Sequence, residues 1–270
     1  MIKFLFKINV IICKLYLIYR REKFKFKIGK KHNSEKIIIS MTSWKKRISN
    51  VPEVINSILR NSTKPDKIVL NLSLDEFPNR EFDLPQEVQN LQSKGIIEIG
   101  WQEGNTKAFK KIIPTLKKYP HDAIIAIDDD LLYPEDFIQT FIEKHTKLPH
   151  HPLSGNYSEI NGVKAHCGCS SLVKAEYFGY YLDELITDDL IKLEMDDVFY
   201  TYCADLNRCC YKFVGKKFSL NMPSINSVEG ISDVDLHVKN EKTENYLIDA
   251  IRRKYNIDVS ILYLPHFVYK

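Results

Sequence analysis

Three consecutive aspartates, Asp128-Asp129-Asp130, directly follow the apolar run AIIAI at 123–127. Like charges this close raise one another's pKa unless a cation sits among them. Carboxylate oxygens suit a hard divalent ion, Mn2+ or Mg2+, and an ion held by few carboxylates keeps coordination sites for diphosphate oxygens. The competing account is a solvated acidic turn before a helix opened by Pro134, since acids are favoured near helix N-termini. The position after a buried strand favours the metal. Two lesser groups accompany this one. NTKAFKK carries Lys107, Lys110 and Lys111, and on a helix Lys107 shares a face with each of the other two. EMDDVF places Glu194, Asp196 and Asp197 at an apparent helix start, where capping by Asp196 is the purely structural alternative.

The elements that must carry these groups follow from hydrophobic periodicity. KIIISMTS (36–43) predicts a buried strand, and VPEVINSILR (51–60) a helix with Pro52 in its first turn. KIVLNLS (67–73) predicts a second strand, 85–94 a helix ending at Gly95, and IIEIG a short third strand. Residues 106–119 predict a helix kinked at Pro114, followed by the strand AIIAI. Further on come a helix near 194–207, a strand CYKFV (210–214) and a terminal helix near 241–255. Alternating strands and helices define an α/β domain with a mostly parallel sheet. Such sheets bind ligands at the carboxyl ends of their strands. Those ends are Thr42-Ser43, Asn71 to Ser73, Trp101 to Asn105 and Asp128 to Asp130.

AIIAIDDDLLYPEDF resembles the D-x-D region of GT-A-type nucleotide-sugar glycosyltransferases, bacterial family-2-like enzymes in particular. IIISMTSWKKRISNVPEVINSILRNSTKPDKIVLNLS is similar to their first strand–helix–strand unit. The likeness runs from about residue 36 to about residue 215 and is looser in its second half. It implies a Rossmann-like GT-A sheet flanked by helices. It makes Asp128 and Asp130 the D-x-D pair, Asp130 the principal metal ligand, and Asp128 and Asp129 neighbours of the donor. Thr42 and Ser43 would face the nucleotide, Arg47 a phosphate, and Lys107 the donor; Lys45, Lys46 and Arg47 also read as a plain basic turn. MDDVF resembles the acidic motif that holds the base of inverting members. That motif is commonly Glu-Asp; here it is Asp-Asp, with Asp197 as base and Asp196 as its companion. His237 is the candidate histidine ligand, ahead of His166. The implied reaction is single displacement from a nucleoside-diphosphate sugar to a glycan or lipid-linked acceptor. Two rivals are an aspartyl-nucleophile phosphohydrolase and a non-catalytic carbohydrate-binding subunit. The phosphohydrolase fold places its motif on the first strand, whereas three strands precede this one.

Composition sets the outer bounds. The 270 residues are 27% charged and 44% hydrophobic, a globular balance. The net charge of +4 divides unevenly: residues 1–31 hold ten Lys/Arg and one Glu, or +9, which leaves −5 for the rest. An acidic body argues against nucleic-acid binding. Fifteen of the first nineteen residues are apolar. On a helix Lys3, Lys7 and Lys14 fall within about 40° of one another. No small-residue cleavage site follows, so residues 1–31 read as a membrane-associating helix with a polybasic flank, interfacial or short-spanning. The basic flank puts the body, 34–270, on the cytoplasmic side at the inner face of the membrane. The six cysteines form one C-x-C and one C-C pair but no C-x-x-C. Reduced thiols are therefore expected, without a structural zinc site.

Overall fold

A computed structural model describes residues 30–31, 36–156, 158–160, 163–165, 170–215 and 233–256; of 30–31, 158–160, 163–165 and 233–240 it describes the backbone alone. The predicted head, residues 1–31, therefore lies outside the described residues except for Lys30–Lys31, whose backbone pairs in parallel with Thr63–Lys64. Among the described residues no helix is long and apolar enough to cross a membrane.

Seven strands form the main sheet. They are β1 (Ile37–Thr42), β2 (Lys67–Ser73), β3 (Glu98–Gln102), β4 (Ala123–Ile127), β5 (Leu153–Ser154), β6 (Ser170–Val173) and β7 (Lys212–Phe213). Their order is β7-β5-β6-β4-β1-β2-β3. β1 to β4 run parallel to one another, and β6 is antiparallel to both β4 and β5. The result is a mixed, mostly parallel sheet flanked by helices, as the alternation of elements predicts.

Two cores lie on opposite faces, and the strands alternate between them. Ile37, Ile39 and Met41 of β1, with Ile125 and Ile127 of β4, join one apolar cluster. Helix α1 (Val51–Leu59) adds Val51, Val54, Ile55 and Ile58 to it. Helix α2 (Gln86–Ser93) adds Val88. Ile38, Val69, Ile124 and Ala126 point into the other cluster. There they meet Leu116 of α3 (Ile113–Lys118) and Val198, Phe199 and Tyr200 from a later helix. Strands buried on both faces must be apolar at consecutive positions, which is why β1 and β4 read as unbroken runs.

Four more helices complete the first face and cover the second: α4 (Phe137–Lys147), α5 (Tyr181–Leu185), α6 (Asp188–Leu193) and α7 (Asp196–Leu206). The last helix, α8 (Asp233–Tyr255), buries Leu247 and Ile251 beside α7 and begins well before the predicted 241. The strand predicted at 210–214 shortens to β7. The helix predicted over 106–119 also breaks. Residues Lys107–Lys111 form a 3-10 turn, Ile112 departs from helical geometry, and Pro114 stands in the first turn of α3 instead of kinking a continuous helix. Proline lacks the N–H that a helix interior needs but is well suited to its start. The described cysteines Cys203, Cys209 and Cys210 are free thiols, the first of them buried.

Candidate active site

β1 and β4 are neighbours in parallel register, so their carboxyl ends bring the 42–43 and 128–130 segments together. Ser43 Oγ donates to Asp129 Oδ2 at 2.6 Å. Arg47, in the turn after β1, forks across two carboxylates: Nη1 lies 2.7 Å from Asp130 Oδ2 and Nη2 3.3 Å from Asp129 Oδ1. The Asp128 N–H donates to Tyr133 Oη at 2.8 Å, which fixes the backbone at the strand end. Asp128 Oδ1 accepts from Lys111 Nζ at 3.0 Å.

Lys111 is the hub. Its ammonium group is buried and also faces Asp196 Oδ2, at 3.6 Å, across the cluster. This one side chain ties the end of β4 to the first residue of α7, 68 positions later. Asp196 Oδ2 is buried and makes no hydrogen bond among the described residues.

The cluster is short of positive charge. Four carboxylates converge on Arg47 and Lys111. Burial pushes Asp129 up to about 6, against the pull of Arg47 and Ser43. Burial, and then the charge of Asp128, push Asp130 upward. Burial raises Asp196 too, with Lys111 opposing. Carboxylates held above their ordinary range mark a site that a further cation would stabilise.

Among the described residues no group of three His, Cys, Asp or Glu side chains is arranged to hold a metal ion. Arg47 and Lys111 each contact one oxygen of Asp130 and Asp128, and the second oxygen of each carboxylate lies outside those contacts. That donor set suits an ion bound by one or two carboxylates and completed by a ligand's own oxygens, the usual habit of Mg2+.

The facing wall is cationic. After β3, Asn105 Oδ1 accepts the Lys107 N–H at 3.0 Å and also the Lys110 ammonium. Lys110 is almost wholly buried, and burial pulls its pKa down to about 8, with Glu76 and Asp75 resisting and Lys107 assisting. Lys107 adopts a left-handed backbone, φ 53°, and its ammonium lies 3.7 Å from Glu194 Oε1. Glu194 is itself left-handed, φ 64°, where it ends α6. Two such non-glycine residues facing one another show a locally strained rim. Between the walls lies a cleft of about 300 Å³.

Thr42, Ser43, Arg47, Lys107, Asp128 and Asp129 all line this cleft. Asp130 lies beside it, bound to Arg47. Asp196 joins the cluster through Lys111. Asp197 is half-buried and outside the lining; its backbone oxygen accepts from the Thr201 hydroxyl at 2.9 Å. His237 falls on α8 where only the backbone is described, and His166 lies outside the described residues.

The expected lysine face changes character. In a 3-10 turn residues three apart eclipse, so 107 and 110 stay together while 111 turns away. Lys107 meets Glu194, and Lys111, not singled out over Lys107 by the sequence, is the residue that connects the carboxylates. Glu76 also lines the cleft, and nothing in its loop, rich in Asp, Pro and Asn, distinguishes it beforehand.

No protein-family model matches the chain, and no curated protein matches it in sequence. Solved structures do match in shape. Glucosyl-3-phosphoglycerate synthase from Mycobacterium tuberculosis, in complex with phosphoglyceric acid, superposes with a TM-score of 0.49 at 9% identity, covering 82% of this chain and 86% of that one. The same synthase with Mn2+, uridine diphosphate and phosphoglyceric acid gives 0.48 at 10% identity, covering 80% and 78%. Its complex with Mn2+, uridine-diphosphate-glucose and phosphoglyceric acid gives 0.47 at 9%, covering 80% of each chain.

Proposed function

We propose that this chain is a divalent-metal-dependent glycosyltransferase of the GT-A kind. It moves a sugar from a nucleoside-diphosphate sugar to a glycan or lipid-linked acceptor, with inversion, in the assembly of a surface polysaccharide or glycoconjugate. The observation that carries this reading is the convergence, through Lys111, of strand-end Asp128 with Asp196, the first residue of α7, at a cleft that Arg47, Lys107 and Lys110 also line. Asp128 and Asp130, joined by His237, would hold Mn2+ or Mg2+, which would supply charge neutralisation for the leaving diphosphate.

The chain's own residues do the rest. Thr42 and Ser43 present hydroxyls and backbone to the nucleotide. Arg47, Lys107 and Lys110 hold anionic oxygens in a site of low dielectric, where preorganised donors act most strongly. Asp196 holds Lys111 in place. Asp197 takes the proton of the acceptor hydroxyl as it attacks the anomeric carbon, the task of a positioned carboxylate base. The basic, apolar head at 1–31 holds the body at the inner face of a membrane, close to lipid-linked acceptors.

The test pairs binding with turnover. UDP-, GDP- and ADP-sugars are screened with Mn2+ by thermal shift, then for transfer. Asp130→Ala should abolish the metal-dependent shift and transfer together. Asp197→Asn should keep the shift and lower turnover by about 100-fold or more. Full transfer by Asp130→Ala in the presence of chelator would refute the reading.

A further inference from the structure

We infer that Arg47 competes with the divalent ion for the Asp130 carboxylate, and that the donor's diphosphate relieves the competition by drawing the guanidinium away. Metal and nucleotide then bind as a coupled pair. The inference rests on the metal-dependent reading above.

Three observations carry it. The guanidinium spans Asp130 Oδ2 at 2.7 Å and Asp129 Oδ1 at 3.3 Å, so it occupies the electrostatic position of a cation between two carboxylates. Arginine stays charged at any working pH, so a second cation on Asp130 must meet it as a like charge. The seat is also incomplete: Arg47 Nε is buried and makes no hydrogen bond among the described residues. Finally, Arg47 lies in the turn after β1, lines the cleft, and has 30% of its side chain exposed. A rotation about its own side-chain bonds therefore carries the fork from carboxylate to cleft without moving a strand. Diphosphate oxygens suit that fork as well as carboxylates do.

The consequence is a pair of opposite effects at one residue. Removing the guanidinium takes away a competitor of the metal and a ligand of the nucleotide. Arg47→Met should bind Mn2+ alone about tenfold or more tightly than the unaltered protein, and should bind UDP, GDP or ADP in saturating Mn2+ about tenfold or more weakly. Arg47→Lys keeps the charge and should stay near the unaltered protein for Mn2+. Free Mn2+ is read by electron paramagnetic resonance and nucleotide binding by calorimetry, neither of which needs turnover. Mn2+ should also raise the melting temperature of Arg47→Met by more than that of the unaltered protein. Should that variant fail to fold, Arg47→Gln carries the same two measurements. Equal or weaker Mn2+ binding by the neutral variants overturns the inference while leaving the metal-dependent reading standing. Absence of Mn2+ binding in every protein, with or without nucleotide, removes that reading and the inference with it.

Discussion

Single residues set the electrostatics of this cleft, and Lys110 shows how. Its ammonium is buried beside Asn105, facing Lys107 from its own turn and Glu76 and Asp75 from the loop after β2. Burial wins over the two carboxylates, and its pKa falls to about 8 from the ordinary 10.5. Below pH 8 both folded and unfolded chains carry the charge, and the folded one bears the cost of desolvating it. Between about pH 8 and 10.5 the folded protein sheds its proton first, so this group's contribution to stability rises with pH through that window. Lys110→Met should therefore stabilise the protein at pH 7, by at most about 3 kcal/mol. Its advantage should vanish as the pH approaches 10.5. Urea unfolding of both proteins across that range measures the difference; an advantage independent of pH would show that the lysine is not desolvated. An anionic ligand in the cleft would favour the charged form, so this same lysine couples ligand binding to proton uptake.

Secondary-structure elements hold the cationic wall at the right height. Beneath it Ser40 of β1 donates to the Lys111 carbonyl at 2.6 Å and meets Thr115 Oγ1 at 2.6 Å, while Asn71 of β2 donates to Thr115 Oγ1 at 2.8 Å. These three buried polar side chains fasten the 3-10 turn and the start of α3 to the sheet. On the outer edge Glu98 of β3 binds Lys67, Lys118 and Tyr119, which joins β3 to β2 and α3. Gly100 of β3 makes the inner network possible, since a Cβ there would stand 2.4 Å from Asn71 Oδ1. Gly100→Ala should cost about 1–3 kcal/mol by forcing Asn71 off its hydrogen bond. The cost should shrink in an Asn71→Ala background, where the clash is gone. Equal costs in both backgrounds, measured by denaturant midpoints, would place the role of Gly100 elsewhere.

At the scale of the whole molecule the charge split has its own consequence. A +9 head on a −5 body should bind anionic vesicles and be repelled from them over the body's acidic surface. The full chain should float with vesicles containing phosphatidylserine. It should float far less with pure phosphatidylcholine, and molar salt should lower the bound fraction. Indifference to both lipid charge and salt would dissociate the basic run from any membrane role.

Much of the fold was legible because its central strands are buried on both faces. β2 and β4 have their predicted bounds, and α1 and α2 end within a residue or two of theirs, since apolar periodicity and Gly95 are local signals. That the aspartate run and the hydroxyls of Thr42 and Ser43 stand at strand ends, and that Asp196–Asp197 open a helix, was legible too, from hydrophobic pattern alone. Partner choice was not. Lys107, Lys110 and Lys111 are alike in sequence, and a 3-10 turn with a break at Ile112 decides that one meets Glu194, one is buried on Asn105 and one joins Asp128 to Asp196. Glu76 entered the cleft from a loop with no periodicity. The sequence by itself determined which strands form the core and which carboxylates stand at their ends, because hydrophobic alternation acts over a few residues. Which cation each carboxylate meets depends on distances between segments far apart in the chain, and only tertiary packing decides those.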